Sequence, residues 1–129
     1  MGVFFSSSNS NDGSSSEPSR VLAFHSADTW KSHLESSKDS NQLMVIDFTA
    51  KWCGPCRFME PIMNEMANSF TDVVFVKIDV DELKEVAQVW QVEAMPTFVL
   101  VKKGQEVDRL VGANKDELKK KIEKYSGSD

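Results

Sequence analysis

The chain has 129 residues and a net charge of −5, enough length for one domain with a real core. That acidity, with a pI near 5.0, argues against nucleic-acid binding, which needs a basic face. Two cysteines are too few for a secreted scaffold built on disulfides, and no apolar run approaches the roughly 20 residues of a membrane span.

Residues 1–19 form the first expected unit. From residue 6 to residue 19 there is only Ser, Asn, Asp, Gly, Glu and Pro. Such a segment cannot bury enough surface to offset its ordering entropy, so it reads as a disordered extension. Met1-Gly2-Val3-Phe4-Phe5-Ser6 fits the N-myristoylation pattern, with Gly2 as the acceptor. Two readings of this stretch stand side by side, a solubilising leader and an acylated one. If Gly2 is acylated, one chain gives weak, reversible membrane attachment. No third cysteine is present for a second lipid, and Arg20 is the only basic residue before Lys31. Val3-Phe4-Phe5 is too short for a signal-peptide core, no basic residue precedes it, and residues 125–129 carry no retention signal. The expected setting is the reducing cytoplasm, partly at membranes if Gly2 is modified.

Residues 20–129 are expected to fold as the domain. Val21-Leu22-Ala23-Phe24 reads as a strand. Ser26 reads as the N-cap of a helix whose apolar stripe is Ala27, Trp30 and Leu34. The run 42–49 reads as a buried strand broken by one acid, Asp47, and Phe58, Met59, Ile62, Met63, Met66 and Phe70 recur behind it at helical spacing. Pro61 lies inside that helix, where a kink is expected. Residues 73–78 are nearly all apolar and read as a central strand. Asp79 and Glu82 read as a capping box for a helix burying Leu83, Val86, Ala87 and Trp90. Residues 96–101 and 106–111 read as a hairpin at the sheet edge, turning at 102–105. Asn114 and Glu117 read as the cap of a last helix with Leu118, Ile122 and Tyr125 inside. Its four lysines, Lys119, Lys120, Lys121 and Lys124, read as a solvated face near a helix C-terminus. The order β-α-β-α-β-α-β-β-α implies parallel crossovers followed by an antiparallel hairpin, hence a mixed sheet with helices on both faces.

Both cysteines fall where a buried strand hands over to a helix, in Trp52-Cys53-Gly54-Pro55-Cys56-Arg57. Three chemistries compete there. A structural disulfide closing so short a loop contributes about 2 kcal/mol at best, before strain. A zinc site lacks ligands, since His25 and His33 stand at no familiar zinc spacing from the cysteines. Reversible dithiol–disulfide exchange fits the physics. Cys53 at a helix N-terminus would face unpaired N–H groups that favour a thiolate. Cys56, one turn inward, would be shielded and act as the resolving thiol, and Pro55 needs no N–H in a first turn. Asp47 has two readings: an acid facing water on a strand edge, or a buried carboxyl with a raised pKa, able to exchange a proton with the inner thiol. Lys77, in a neighbouring apolar strand, is its expected charge partner.

These residues resemble the thioredoxin family over residues 21–125. Trp52-Cys53-Gly54-Pro55-Cys56 is similar to its active-site motif, Asp47 to its buried aspartate, Lys77 to the partner lysine, and Pro61 to the helix proline. Met95-Pro96-Thr97 resembles the loop whose cis-proline faces the cysteines, and Gly112 the glycine of the substrate groove. The wording of residues 47–52 and the serine-rich extension resemble plant h-type thioredoxins. The resemblance implies an α/β thioredoxin fold, about five mixed strands flanked by four helices. It implies protein-disulfide reductase activity through a Cys53–Cys56 disulfide with no bound cofactor, recharged from NADPH by thioredoxin reductase. It further implies target proteins with reducible disulfides, such as peroxiredoxins, docking on Trp52, Ala94, Met95, Pro96 and Gly112. Two other functions compete: a disulfide isomerase or oxidase on the same fold, and a docking module whose cysteines are incidental.

Overall fold

The computed structural model describes residues 19–127. The Gly2 motif and residues 1–18 lie outside the described residues. Nine elements follow in the expected order: β1 (Val21–Phe24), α1 (Ala27–Ser37), β2 (Met44–Thr49), α2 (Gly54–Ser69), β3 (Val74–Asp79), α3 (Lys84–Val89), β4 (Thr97–Lys102), β5 (Gln105–Val111) and α4 (Lys115–Tyr125).

The strands make one sheet in the order β1-β3-β2-β4-β5. β3 runs parallel to both β1 and β2, while β4 is antiparallel to β2 and to β5. Alternation along the strands splits the core in two. Val45, Phe75, Phe98 and Leu100 face α2 and α4, where Met59, Met63, Leu118 and Ile122 meet them. Ile46, Phe48, Val76 and Val99 face α1 and α3, which supply Trp30, Val86 and Ala87. The sheet is thus covered on both sides, and β2 and β4 are buried almost throughout.

The structure sharpens two expectations and corrects a third. The central strand is β2, with β3 one place out from it. An apolar run reports burial on both faces, and that condition holds for every interior strand. Only β5 of the hairpin lies at the edge, and β4 is interior. The proline before β4 needs no ladder bond because it precedes the strand. The capping box ahead of α3 is half formed. The Asp79 carboxylate accepts from the Asp81 and Glu82 N–H groups, but the Glu82 carboxylate turns to His25, and α3 starts only at Lys84 behind Leu83.

The other caps are as read. Ser26 Oγ accepts from Thr29 N–H and Asn114 Oδ1 from Glu117 N–H. The β4–β5 turn is two residues long, with Lys103 and Gly104 both at positive φ, the backbone that matches strand twist in tight hairpins.

Candidate active site

The site is assembled where β2 ends and α2 begins. Cys53 is the N-cap of α2, with extended backbone at φ −94° and ψ 112°. The Cys56 N–H donates to Cys53 Sγ at 3.2 Å, and the two cysteines are joined as a disulfide with Cα atoms 5.2 Å apart. A sulfur in this place receives one of the N–H groups that a helix start leaves without a partner, and the positive end of the macrodipole lies behind it. Both effects favour Cys53 as a thiolate once the bond is reduced. Gly54 and Pro55 occupy the first turn and are exposed. The asymmetry between the sulfurs is narrower than expected, since Cys53 is 5% exposed and Cys56 1%.

Trp52 projects into solvent at 65% exposure, and its indole N–H donates to Asp81 Oδ2 at 2.8 Å. The acceptor fixes an aromatic face beside Cys53. Across from it lies the loop before β4, with the Met95–Pro96 peptide bond cis. The Met95 carbonyl oxygen is 3.6 Å from Cys53 Sγ. The buried Thr97 hydroxyl donates to the Ala94 carbonyl, and Gly112 N–H donates to the Pro96 carbonyl at 2.8 Å. Loop and strand end are therefore tied together by hydrogen bonds, and the Met95 carbonyl is held against the Cys53 sulfur. Gly112 has φ +110°, and a Cβ there would meet nothing within 4 Å, so the groove beside it is open. Substituting Gly112 by valine is expected to cost about 1 kcal/mol or more through its backbone conformation alone. It should also raise KM for a protein disulfide by narrowing the groove; steady-state kinetics with a urea melt check both effects.

Asp47 sits on the α2 face of β2, in register between Lys77 of β3 and Phe98 of β4. It is 2% exposed and its Oδ1 has no hydrogen-bond partner. Burial pushes its carboxyl up to about 7, Lys77 pulls it back in part, and Glu60 adds to the rise. A carboxyl poised near neutrality can both take and return a proton.

Lys77 does not ion-pair with Asp47. Its ammonium lies 3.4 Å from Glu60 Oε2, in a half-exposed pair. The expected contact is replaced by a longer-range attraction, because the stem of a lysine reaches past its strand neighbour to an exposed acid. Pro61 lies within α2, immediately after that acid.

Sequence reasoning missed Glu60 and Asp81. Glu60 stands four residues after Cys56 and so on its side of the helix, a signal that was available. Nothing local points from Asp81 to Trp52.

The histidines serve other purposes. His25 Nδ1 is 3.0 Å from Glu82 Oε1. His33 packs on Phe24 with centroids 4.9 Å apart, and burial holds its imidazole below the usual value. Among the described residues no group of three or more His, Cys, Asp or Glu side chains is arranged to hold a metal ion, and no helix is long and apolar enough to cross a membrane.

The family model described as Thioredoxin matches residues 21–124. Thioredoxin H2 of Arabidopsis thaliana is 58% identical over 112 residues, covering 87% of this chain and 84% of its own length. Thioredoxin H2-2 of Oryza sativa subsp. japonica is 54% identical over a 134-residue alignment that covers 99% of this chain and 98% of that one. Among solved structures, the thioredoxin NaTrxh from Nicotiana alata superposes with a TM-score of 0.85 at 63% identity, covering 89% of this chain and all of that one (100%).

Proposed function

This chain belongs to the thioredoxin family and is a thiol–disulfide oxidoreductase that reduces protein disulfides, and on that premise we propose that Cys53 attacks, Cys56 resolves and Asp47 carries the proton between steps. The observation that supports this division is the Cys53 sulfur at the start of α2, receiving the Cys56 N–H beside the open Gly112 groove.

Starting from the dithiol, the Cys53 thiolate attacks one sulfur of a target disulfide. The target S–S bond breaks, its second sulfur leaves as a thiolate and takes up a proton, and a mixed disulfide remains. Asp47 takes the Cys56 proton, and the new thiolate attacks Cys53 Sγ. The mixed disulfide breaks, the first target sulfur leaves and is protonated, and Cys53–Cys56 closes into the bond present in the structure. Two electrons and two protons have passed to the target. The redox group is the cysteine pair itself, with no bound cofactor, and NADPH-dependent thioredoxin reductase restores the dithiol, as in the family at large.

Targets would dock on the apolar rim formed by Trp52, Ala94, Met95, Pro96 and Gly112. Trp52 and Ala94 are exposed, Met95 and Gly112 are half-buried and Pro96 is buried, so it shapes the rim from beneath; the nearby Val111 is also exposed. Lys77 acts on Asp47 by charge across the strand pair. Peroxiredoxins are among the partners we assign by chemistry, since their turnover leaves a disulfide to be reduced. The test is reduction of a protein disulfide coupled to thioredoxin reductase, with NADPH consumption followed. Absence of turnover by the wild-type chain would overturn the reading.

For location, the reading is cytoplasmic with a membrane-associated fraction, supported by the Gly2–Ser6 pattern. Protein made in a eukaryotic cell is expected to sediment partly with membranes, on a partition constant of about 10⁴ per molar for one myristoyl chain. Gly2→Ala should abolish that fraction, and an intact mass showing unmodified Gly2 would remove the proposal.

A further inference from the structure

We propose that Glu60 is a positioning residue: its carboxylate draws the Lys77 ammonium away from Asp47, leaving that buried carboxyl unpaired and able to accept the Cys56 proton. This rests on the proton-carrying role of Asp47 proposed above.

The geometry begins with the strand register. Asp47 and Lys77 are direct partners on the parallel β2–β3 pair, on strands about 4.8 Å apart. Both point to the α2 side, as Val45 and Phe75 do two residues earlier on each strand. A lysine so placed has an obvious acid to pair with, yet Asp47 keeps an oxygen with no partner. The Lys77 ammonium is found 3.4 Å from Glu60 instead. Glu60 lies on α2 one turn beyond Cys56, with about half of its side chain in solvent (53%).

The choice has a physical reason. Lys77 and Glu60 line one cavity of about 250 Å³ at the C-terminal ends of β1, β2 and β3. An ion pair at its mouth keeps both charges hydrated, whereas pairing with Asp47 would draw the ammonium inward and require the buried carboxyl to ionise. The other charged or titratable side chains lining the cavity are His25, Lys51, Arg57, Asp79 and Glu82, so Lys77 has no further acid there beyond Asp79 and Glu82. Arg57 donates to the Lys51 carbonyl at 2.9 Å, His25 pairs with Glu82, and Asp79 accepts two backbone N–H groups. Phe98, opposite Asp47 on β4, brings no charge. Glu60 is therefore the anion that competes with Asp47 for Lys77. The pair is half-exposed and so held lightly, which means that loss of the Glu60 charge frees Lys77 to turn inward. Burial is the leading influence on Asp47 and acts in the direction this arrangement requires, and Lys77 lowers the carboxyl only in part; Glu60 adds a smaller direct repulsion, which the experiment separates from its hold on Lys77.

The experiment is a pH titration of the Asp47 carboxyl by carbon-13 NMR, in wild type, Glu60→Gln, Lys77→Gln and the double variant. The pH profile of mixed-disulfide resolution is measured on the same four proteins. Glu60→Gln is expected to lower the Asp47 midpoint by about one pH unit, as an opposite charge does at close range, and to carry the acid limb of the resolution profile down with it. Lys77→Gln should raise the midpoint, and adding Glu60→Gln to it should lower it by much less than in wild type, the small remainder being the direct repulsion by Glu60. An unmoved midpoint in Glu60→Gln would overturn the proposal. So would an equal shift in the Lys77→Gln background, because Glu60 would then act on Asp47 by direct repulsion. A midpoint that moves while the resolution profile stays fixed would overturn the proton-carrying role of Asp47 instead.

Discussion

Cys53→Ser is expected to lose reductase-coupled turnover by roughly a thousandfold or more, the scale on which removal of an attacking group is felt. Cys56→Ser should fail differently. It keeps the sulfur that begins the reaction, so it should complete the first exchange and then stall, because a serine hydroxyl cannot displace the target from Cys53. The two variants would be equally inactive with NADPH consumption followed, yet only Cys56→Ser should accumulate a target-sized adduct on a non-reducing gel. The expectation follows from position. Cys53 is the sulfur at the rim, next to the exposed Trp52 and facing the Met95 carbonyl. Cys56 is 1% exposed and packed within α2. Adducts formed by Cys53→Ser rather than Cys56→Ser would reverse the assignment. A double serine variant with full activity would instead favour a docking module in which the sulfurs are incidental.

Local signals in the chain are strong enough to read the element order and the site. The period of Met59, Met63 and Met66, the Ser26 and Asn114 caps, and two residues between cysteines at a strand–helix junction are short-range features. What escapes such a reading is non-local. Sheet order depends on which strands meet across the whole chain, so a run such as 73–78 can report its burial but not its place. The hairpin pattern puts β4 at the edge with its partner, although Thr97–Val101 is buried at every position. The alternation and charge that signal an edge belong to β5 alone. Lys77 shows the same limit at the site. Two opposite charges in apolar strands are rightly placed side by side by that pattern, but a flexible side chain chooses its contact by hydration, and the exposed Glu60 competes for it.

Asp47→Asn is expected to stabilise the folded chain at alkaline pH while slowing the reaction. The sign follows from where the carboxyl titrates in each state. The folded-state value is about 7 against 3.8 for the free side chain. Between those limits the folded chain holds a proton that the unfolded chain has released, so stability is full below about 4 and falls as pH rises toward 7. Above that, both states are ionised and the loss is complete. A pKa raised by roughly three corresponds to a loss on the order of 4 kcal/mol. Asparagine is close in shape to the protonated acid and never ionises. Urea melts of the oxidised protein should therefore show the variant level with wild type near the acid end of the window and ahead by that order near pH 8. Parallel curves across the window would mean that Asp47 is not the group that titrates there. Resolution of a mixed disulfide should slow by roughly a hundredfold in the same variant, the scale of a lost general base. The chain thus keeps an ionisable group where a neutral one would fold better, in the interior strand that ends three residues before Trp52, because the inner thiol needs somewhere to put its proton.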